Sequence, residues 1–164
     1  MPSSPLTEAP AADFVCDCKE WFRSACEGLP FYEKHEGKQY CVLHYPSKDK
    51  GAAFGEALQR KLDAEDFDFR EVWFPDEVNF RNFTFTTPAN FADATFNAKA
   101  NFASATFSAT AVFSSTKFNA IAYFHSAKFN EKAHFSNAVF NAKANFEVVT
   151  FNAEVDFYSA TFSE

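Results

Sequence analysis

From Phe69 to Phe162, eighteen phenylalanines recur at gaps that alternate five, six, five, six without a miss. They begin Phe69, Phe74, Phe80, Phe85, Phe91 and end Phe146, Phe151, Phe157, Phe162, and take up most of the 24 Phe in the 164-residue chain. A second ladder of small residues runs two positions earlier: Ala89, Ala94, Ala100, Ala105, Ala111, Ala122, Ala127, Ala133, Ala138, Ala144 and Ala160. Val72, Val78, Val149, Val155 and Thr116 fill the same slot, as do Phe67 and Phe83 at its N-terminal end. A helix cannot carry this pattern. Five residues turn it by about 140° and six by about 240°, so successive rings would leave on nearly opposite faces. In an extended segment, small-x-Phe puts both apolar side chains on one face, and the two or three residues after each Phe become corners. The sequence therefore predicts an all-β solenoid, each unit one short side of a coil and each coil burying the ladder of the next.

Charge decides how many sides close a coil. An eleven-residue coil stacks Lys132 on Lys143, and its two sides could hardly enclose two rings. A 22-residue coil sets Lys132 beside Glu154, sets His134 beside Asp156 and interposes Ile121 between Lys99 and Lys143. Like charges opposite each other on neighbouring strands destabilise and unlike charges help, so four sides are preferred. Eighteen units then make four to five coils, a stub roughly 20 Å long at the usual strand spacing. Each Phe is read as core, contributing about 1.5–3 kcal/mol by burial, and none as a ligand-binding aromatic.

The units Ala-Asn-Phe at 89–91, 100–102 and 144–146, and Ala-Thr-Phe at 94–96, 105–107 and 160–162, make residues 67–162 resemble the pentapeptide-repeat proteins. That resemblance implies a right-handed quadrilateral β-helix with the central residue and the one two before it pointing inward. The uniform Phe centre and the 5/6 alternation are similar to a Phe-rich variant of the repeat, for which a wider, rectangular coil is expected. Some members carry a Cys/His segment ending Tyr-Cys-x-x-His-x-Pro before the repeats, and Tyr40, Cys41, His44 and Pro46 are similar to it.

All four cysteines precede residue 42. Cys41-x-x-His44 can set a thiolate and an imidazole on one tetrahedral ion, with Cys26 as third ligand and Cys18, or alternatively Cys16, as fourth. The expected cofactor is a structural zinc ion; two disulfides, or free or redox-active thiols, are the competing readings. His35, in Glu-Lys-His-Glu, reads as a solvated loop residue. His125 and His134 fall on the outer face and make no metal site. Between module and repeats, Phe54, Leu58 and Leu62 form one apolar stripe, with Asp49 as N-cap and Arg60 and Lys61 suiting the C-terminal end. The expected organisation is a disordered tail over 1–13, a Cys/His zinc-type module over 14–48, a capping helix over 49–65 and the β-helix over 66–164. The repeat stops in Ala160-Thr-Phe-Ser-Glu, which predicts either a fragment of a longer chain or an end-to-end homodimer through an uncapped coil.

The chain is expected not to be an enzyme: it has no phosphate-cradling glycine loop and no elbow-framed serine. Its apolar runs are short and its N-terminus lacks the basic flank and apolar stretch of a signal peptide, so no membrane partner and a cytoplasmic location are expected. The leading expectation is a scaffold that binds an unidentified protein. The alternative, implied by the resemblance, is a DNA-mimicking inhibitor or protector of a topoisomerase. Mimicry needs acidity along the rod, but the net charge of −6 over 63–164 falls to −1 from Ala89 onward. A weaker alternative is nucleic-acid recognition by the Cys/His module, which the overall net charge of −7 disfavours. The acidic run from Asp63 to Glu77 reads as a solvated first coil or as a patch for a basic partner. Rows of Thr suited to ice binding are broken by Lys117, Lys128 and Val139.

Overall fold

The computed structural model describes residues 14–163; the tail expected over 1–13 lies outside them. The chain is a β-solenoid of about four turns, with four parallel sheets, preceded by a helix and an N-terminal Cys/His region. One face stacks Trp73–Phe74, Thr95–Phe96, Lys117–Phe118, Val139–Phe140 and Thr161–Phe162. The other three each stack four two-residue strands, beginning at Val78–Asn79, Thr84–Phe85 and Ala89–Asn90. Every pairing joins residue i to i+22, as in Ala89↔Ala111↔Ala133↔Val155, so one coil is four units. The charge argument holds as well: Lys132 Nζ lies 3.3 Å from Glu154, and His134 pairs with Asp156.

Inside, the rings form four columns. Phe i stacks on Phe i+22 with centroids 4.4 to 5.3 Å apart, which is the strand spacing itself. From Phe85 onward the rings within one coil meet edge to face across the six-residue sides, as in Phe96–Phe102 at 85° and Phe107–Phe113 at 81°. This geometry suits the ring quadrupole. The alanine ladder fills the space between columns; its one polar member, Thr116, is fully buried and donates to the Phe91 carbonyl at 2.7 Å.

The alternating gap has a backbone cause. Every five-residue step turns through a residue in the left-handed region: Glu71, Asn82, Asp93, Ser104, Ser115, Ser126, Asn137, Val148 and Ser159, at φ between 54° and 59°. The following N–H closes the turn on the Phe carbonyl three residues back, as Ala94 N to Phe91 O at 3.0 Å. Six-residue steps have one more residue and no left-handed position. The asparagines serve these corners: Asn90, Asn101 and Asn145 Oδ1 accept the N–H two residues on, and Asn141 donates to Asn119, and Asn152 to Asn130, from coil to coil.

Helix α1, Gly51–Asp63, lies across the open edge of the first coil. Phe54 packs edge-on to Phe74 at 5.7 Å, and Phe54, Ala57 and Lys61 are buried. One expectation for this helix is corrected: its N-cap is Lys50, without a side-chain capping bond, instead of Asp49. Arg60 and Lys61 stand in its last turn as expected; Lys61 also lies in the buried face, donating to the Ala25 carbonyl at 3.0 Å and paired with Asp66. It thereby joins the module to the helix. Among the described residues no helix is long and apolar enough to cross a membrane.

Candidate metal centre

Three short elements bring the cysteines together. Hairpin strands β1, Glu33–His35, and β2, Lys38–Tyr40, join through Glu36 and Gly37, both at positive φ. Asp17 grips the edge of β2, its N–H donating to the Gln39 carbonyl and its carboxylate accepting the Gln39 N–H, both at 2.7 Å. That contact sets Cys16 and Cys18 beside Cys41, which follows β2. A 3-10 helix, Glu20–Cys26, delivers Cys26 at its last residue. After Cys41 the chain turns once, Tyr45 N–H reaching the Cys41 carbonyl at 3.0 Å, and His44 comes back over the thiols.

The donor atoms of Cys16, Cys26, Cys41 and His44 all lie within 4.8 Å of one another, and all four residues are buried. Cys18, also buried, holds its sulfur 3.9 Å from that of Cys26. All five residues singled out in the sequence therefore converge, with Cys16 in the mutually close set and Cys18 against its Cys26 edge. None of the four cysteines is in a disulfide. His35 is exposed on the hairpin, away from the cluster.

The distances suit a small ion held tetrahedrally. Metal–sulfur and metal–nitrogen bonds of about 2.3 and 2.0 Å imply edges near 3.8 Å between sulfurs and 3.5 Å between sulfur and nitrogen. Nδ1 of His44 lies 3.5 Å from Cys16 Sγ and 3.4 Å from Cys41 Sγ. On its far side, His44 Nε2 is 2.9 Å from the Arg70 carbonyl. A carbonyl only accepts, so Nε2 carries a proton and Nδ1 is the nitrogen turned to the thiols; an imidazole supported in this way would hold an ion through Nδ1. The Cys41 N–H also points at Cys16 Sγ, at 3.4 Å.

Electrostatics ask for a cation in this position. Hydrogen bonds from Cys18, Cys26 and Cys41 hold the Cys16 thiol far below its ordinary pKa. Cys26, facing the same sulfurs, is held far above. Burial pulls the His44 pKa down, but the Cys16, Cys18 and Cys41 sulfurs outweigh it and push the imidazole up to about 12. A crowd of sulfurs with one thiolate among them needs positive charge at its centre, which a proton on Nδ1 or a metal ion supplies.

The cluster is fastened to the first coil. Besides His44 to Arg70, the Trp73 N–H donates to the Leu43 carbonyl at 3.0 Å, so the Cys-x-x-His turn stands in for a preceding coil. Lys50, 1% exposed, bridges the Leu43 and Trp73 carbonyls at 3.0 and 2.5 Å; burial pulls its pKa down to about 7 against the opposing Cys41 charge. The acidic run is largely consumed here. Asp68 holds Arg70, whose guanidinium donates to the Trp21 carbonyl and Ser24, while Glu71 accepts the Lys19 N–H. Asp66 takes Lys61, and Glu77 takes Lys99 at 2.7 Å. Asp63, Glu65 and Asp76 remain exposed, so the run is solvated in part while Asp66, Asp68, Glu71 and Glu77 hold partners. Its periodic spacing carried no signal that Arg70, its one basic member, would anchor the module.

No family model, no curated protein and no solved structure matches the chain.

Proposed function

We propose that this chain is a non-catalytic interaction scaffold of the pentapeptide-repeat type, with a structural zinc ion in its Cys/His cap. The observation that carries this reading is the close approach of the donor atoms of Cys16, Cys26, Cys41 and His44, all within 4.8 Å of one another, with sulfur–nitrogen separations of 3.5 and 3.4 Å that match the edges of a tetrahedral thiolate–imidazole site. Zinc suits that donor set, and four protein donors close the coordination sphere, as in structural rather than catalytic sites. The position fits the role: the ion would tie the segments carrying Cys16, Cys26 and the Cys-x-x-His turn together above the first coil. Thiolate ligands need a reducing compartment, which agrees with a cytoplasmic location.

The interaction role draws on the rest of the rod. Its interior is filled by rings, leaving outward-facing Asn, Thr, Lys, Tyr and His at fixed 22-residue intervals as the surface a protein partner would meet. Topoisomerase inhibition by DNA mimicry is disfavoured, because the acidity is confined to the first coil, where Asp66, Asp68, Glu71 and Glu77 are engaged by Lys61, Arg70, the Lys19 N–H and Lys99. Metal analysis of the chain purified without chelator is expected to return one zinc per chain. In the cobalt(II)-substituted protein, the intense visible bands of a four-coordinate thiolate site should not change when cyanide or azide is added. Less than one equivalent of metal in folded protein sinks the zinc reading; spectral change on adding the anion sinks the closed, non-catalytic one.

A further inference from the structure

Five donors surround a centre that takes four. Cys26 belongs to the mutually close set, and Cys18, the surplus thiol beside it, lies with its sulfur 3.9 Å away. A cavity of about 410 Å³ opens onto the cluster and is lined by Cys16 and Cys26 together with Val15, Arg23 and Leu29. A small solute in this cavity meets Cys26, while Cys18 lies behind it, off the cavity wall but within 3.9 Å of its sulfur.

We propose that this centre is a peroxide-sensitive thiol switch, in which oxidation joins Cys18 to Cys26 and ejects the metal. The inference rests on the zinc reading above. The chemistry balances with hydrogen peroxide as the oxidant. Bound to the metal, Cys26 has given up its proton whatever its metal-free pKa, and its sulfur attacks one peroxide oxygen; the O–O bond breaks, leaving Cys26 as the sulfenic acid and releasing hydroxide. The Cys18 thiolate then attacks the Cys26 sulfur, the S–S bond forms and a second hydroxide leaves. Two thiols have lost two electrons and two protons, and peroxide has become two waters. Sulfurs 3.9 Å apart need side-chain rotation to reach the bonding distance of about 2.05 Å. With Cys26 withdrawn, Cys16, Cys41 and His44 remain, one donor short of a closed site. Loss of the ion loosens the segments it joins, which couples the redox state of the solution to the cap of the rod.

The test uses the full zinc-loaded chain treated with stoichiometric hydrogen peroxide. Released zinc is followed with a chromogenic chelator, and disulfides are mapped by peptide mass spectrometry. One zinc released per chain, together with a Cys18–Cys26 disulfide and re-uptake after dithiothreitol, is expected. Cys18→Ser leaves four donors and is expected to release zinc at least tenfold more slowly, because the sulfenic acid has no adjacent thiol to resolve it. A disulfide mapped to another pair, or zinc retained by oxidised wild type, overturns the switch whatever the variant does. Equal release rates for Cys18→Ser and wild type overturn it too. Protein that binds no zinc defeats the zinc reading and the switch together, whereas bound zinc that survives peroxide defeats the switch alone.

Discussion

Phe124 is the most informative residue to remove. It is fully buried, stacked between Phe102 and Phe146 at 4.9 Å on each side. It also meets Phe113 and Phe135 edge to face at 5.5 and 5.7 Å. Phe124→Ala loses the transfer free energy of a whole ring and leaves a hole that rigid coils above and below cannot close. That combination costs about 3–5 kcal/mol in well-packed cores. Phe162 is the control, because it occupies the same kind of lattice position but is 54% exposed and stacks on Phe140 alone. Its truncation forfeits roughly half of the burial and is expected to cost about 1 kcal/mol. The assay is urea denaturation followed by circular dichroism, with both variants and the wild type compared at the same metal loading. In a stack where each coil contacts only its neighbours, damage at the centre should also broaden or split the transition, while damage at the end should not. Equal costs for the two variants, or a Phe124→Ala midpoint within error of wild type, would refute the reasoning that the columns hold the coils together.

Three further outcomes follow from single contacts. Val148 is the one β-branched residue among the left-handed corners, at φ 56°, and is 75% exposed; Val148→Asn is expected to raise stability by about 1 kcal/mol in the same assay, and a loss would show that the side chain is packed after all. Lys61→Met strands the Ala25 carbonyl in a buried junction and leaves the half-exposed Asp66 without its cation, and is expected to cost about 1–3 kcal/mol, read as a lowered midpoint and faster amide exchange in the cap; unchanged exchange there would count against the junction. Lys132→Ala removes an ion pair whose side chains are 58% and 68% exposed, and should shift stability by less than about 0.5 kcal/mol at physiological salt.

How much of this was legible depended on whether a feature repeats. Four sides per coil could be read from Lys132, which stands beside Glu154 at a spacing of 22 but on Lys143 at a spacing of 11, because one register applies to every column at once. The tight corners could be expected at the short gaps, and Asn82, Asp93 and Asn137 suit a left-handed backbone, yet Val148 carries no such mark and is placed there by the lattice. In the module, the cysteines and His44 were identifiable by type and spacing. The two-residue Glu36–Gly37 turn was a hairpin signal that the sequence reading passed over.

The sequence by itself determined the solenoid, since a two-residue inward alternation repeated eighteen times leaves no other way to bury the rings. Tertiary structure decided the cap. Which thiol joins Cys26, Cys41 and His44 in the close set, why Lys50 and Lys61 are buried, and why Arg70 anchors the module all depend on segments 23 to 52 residues apart in sequence meeting once. A contact made once has no period, so its energy is settled by the three-dimensional approach of groups whose spacing along the chain says nothing of it.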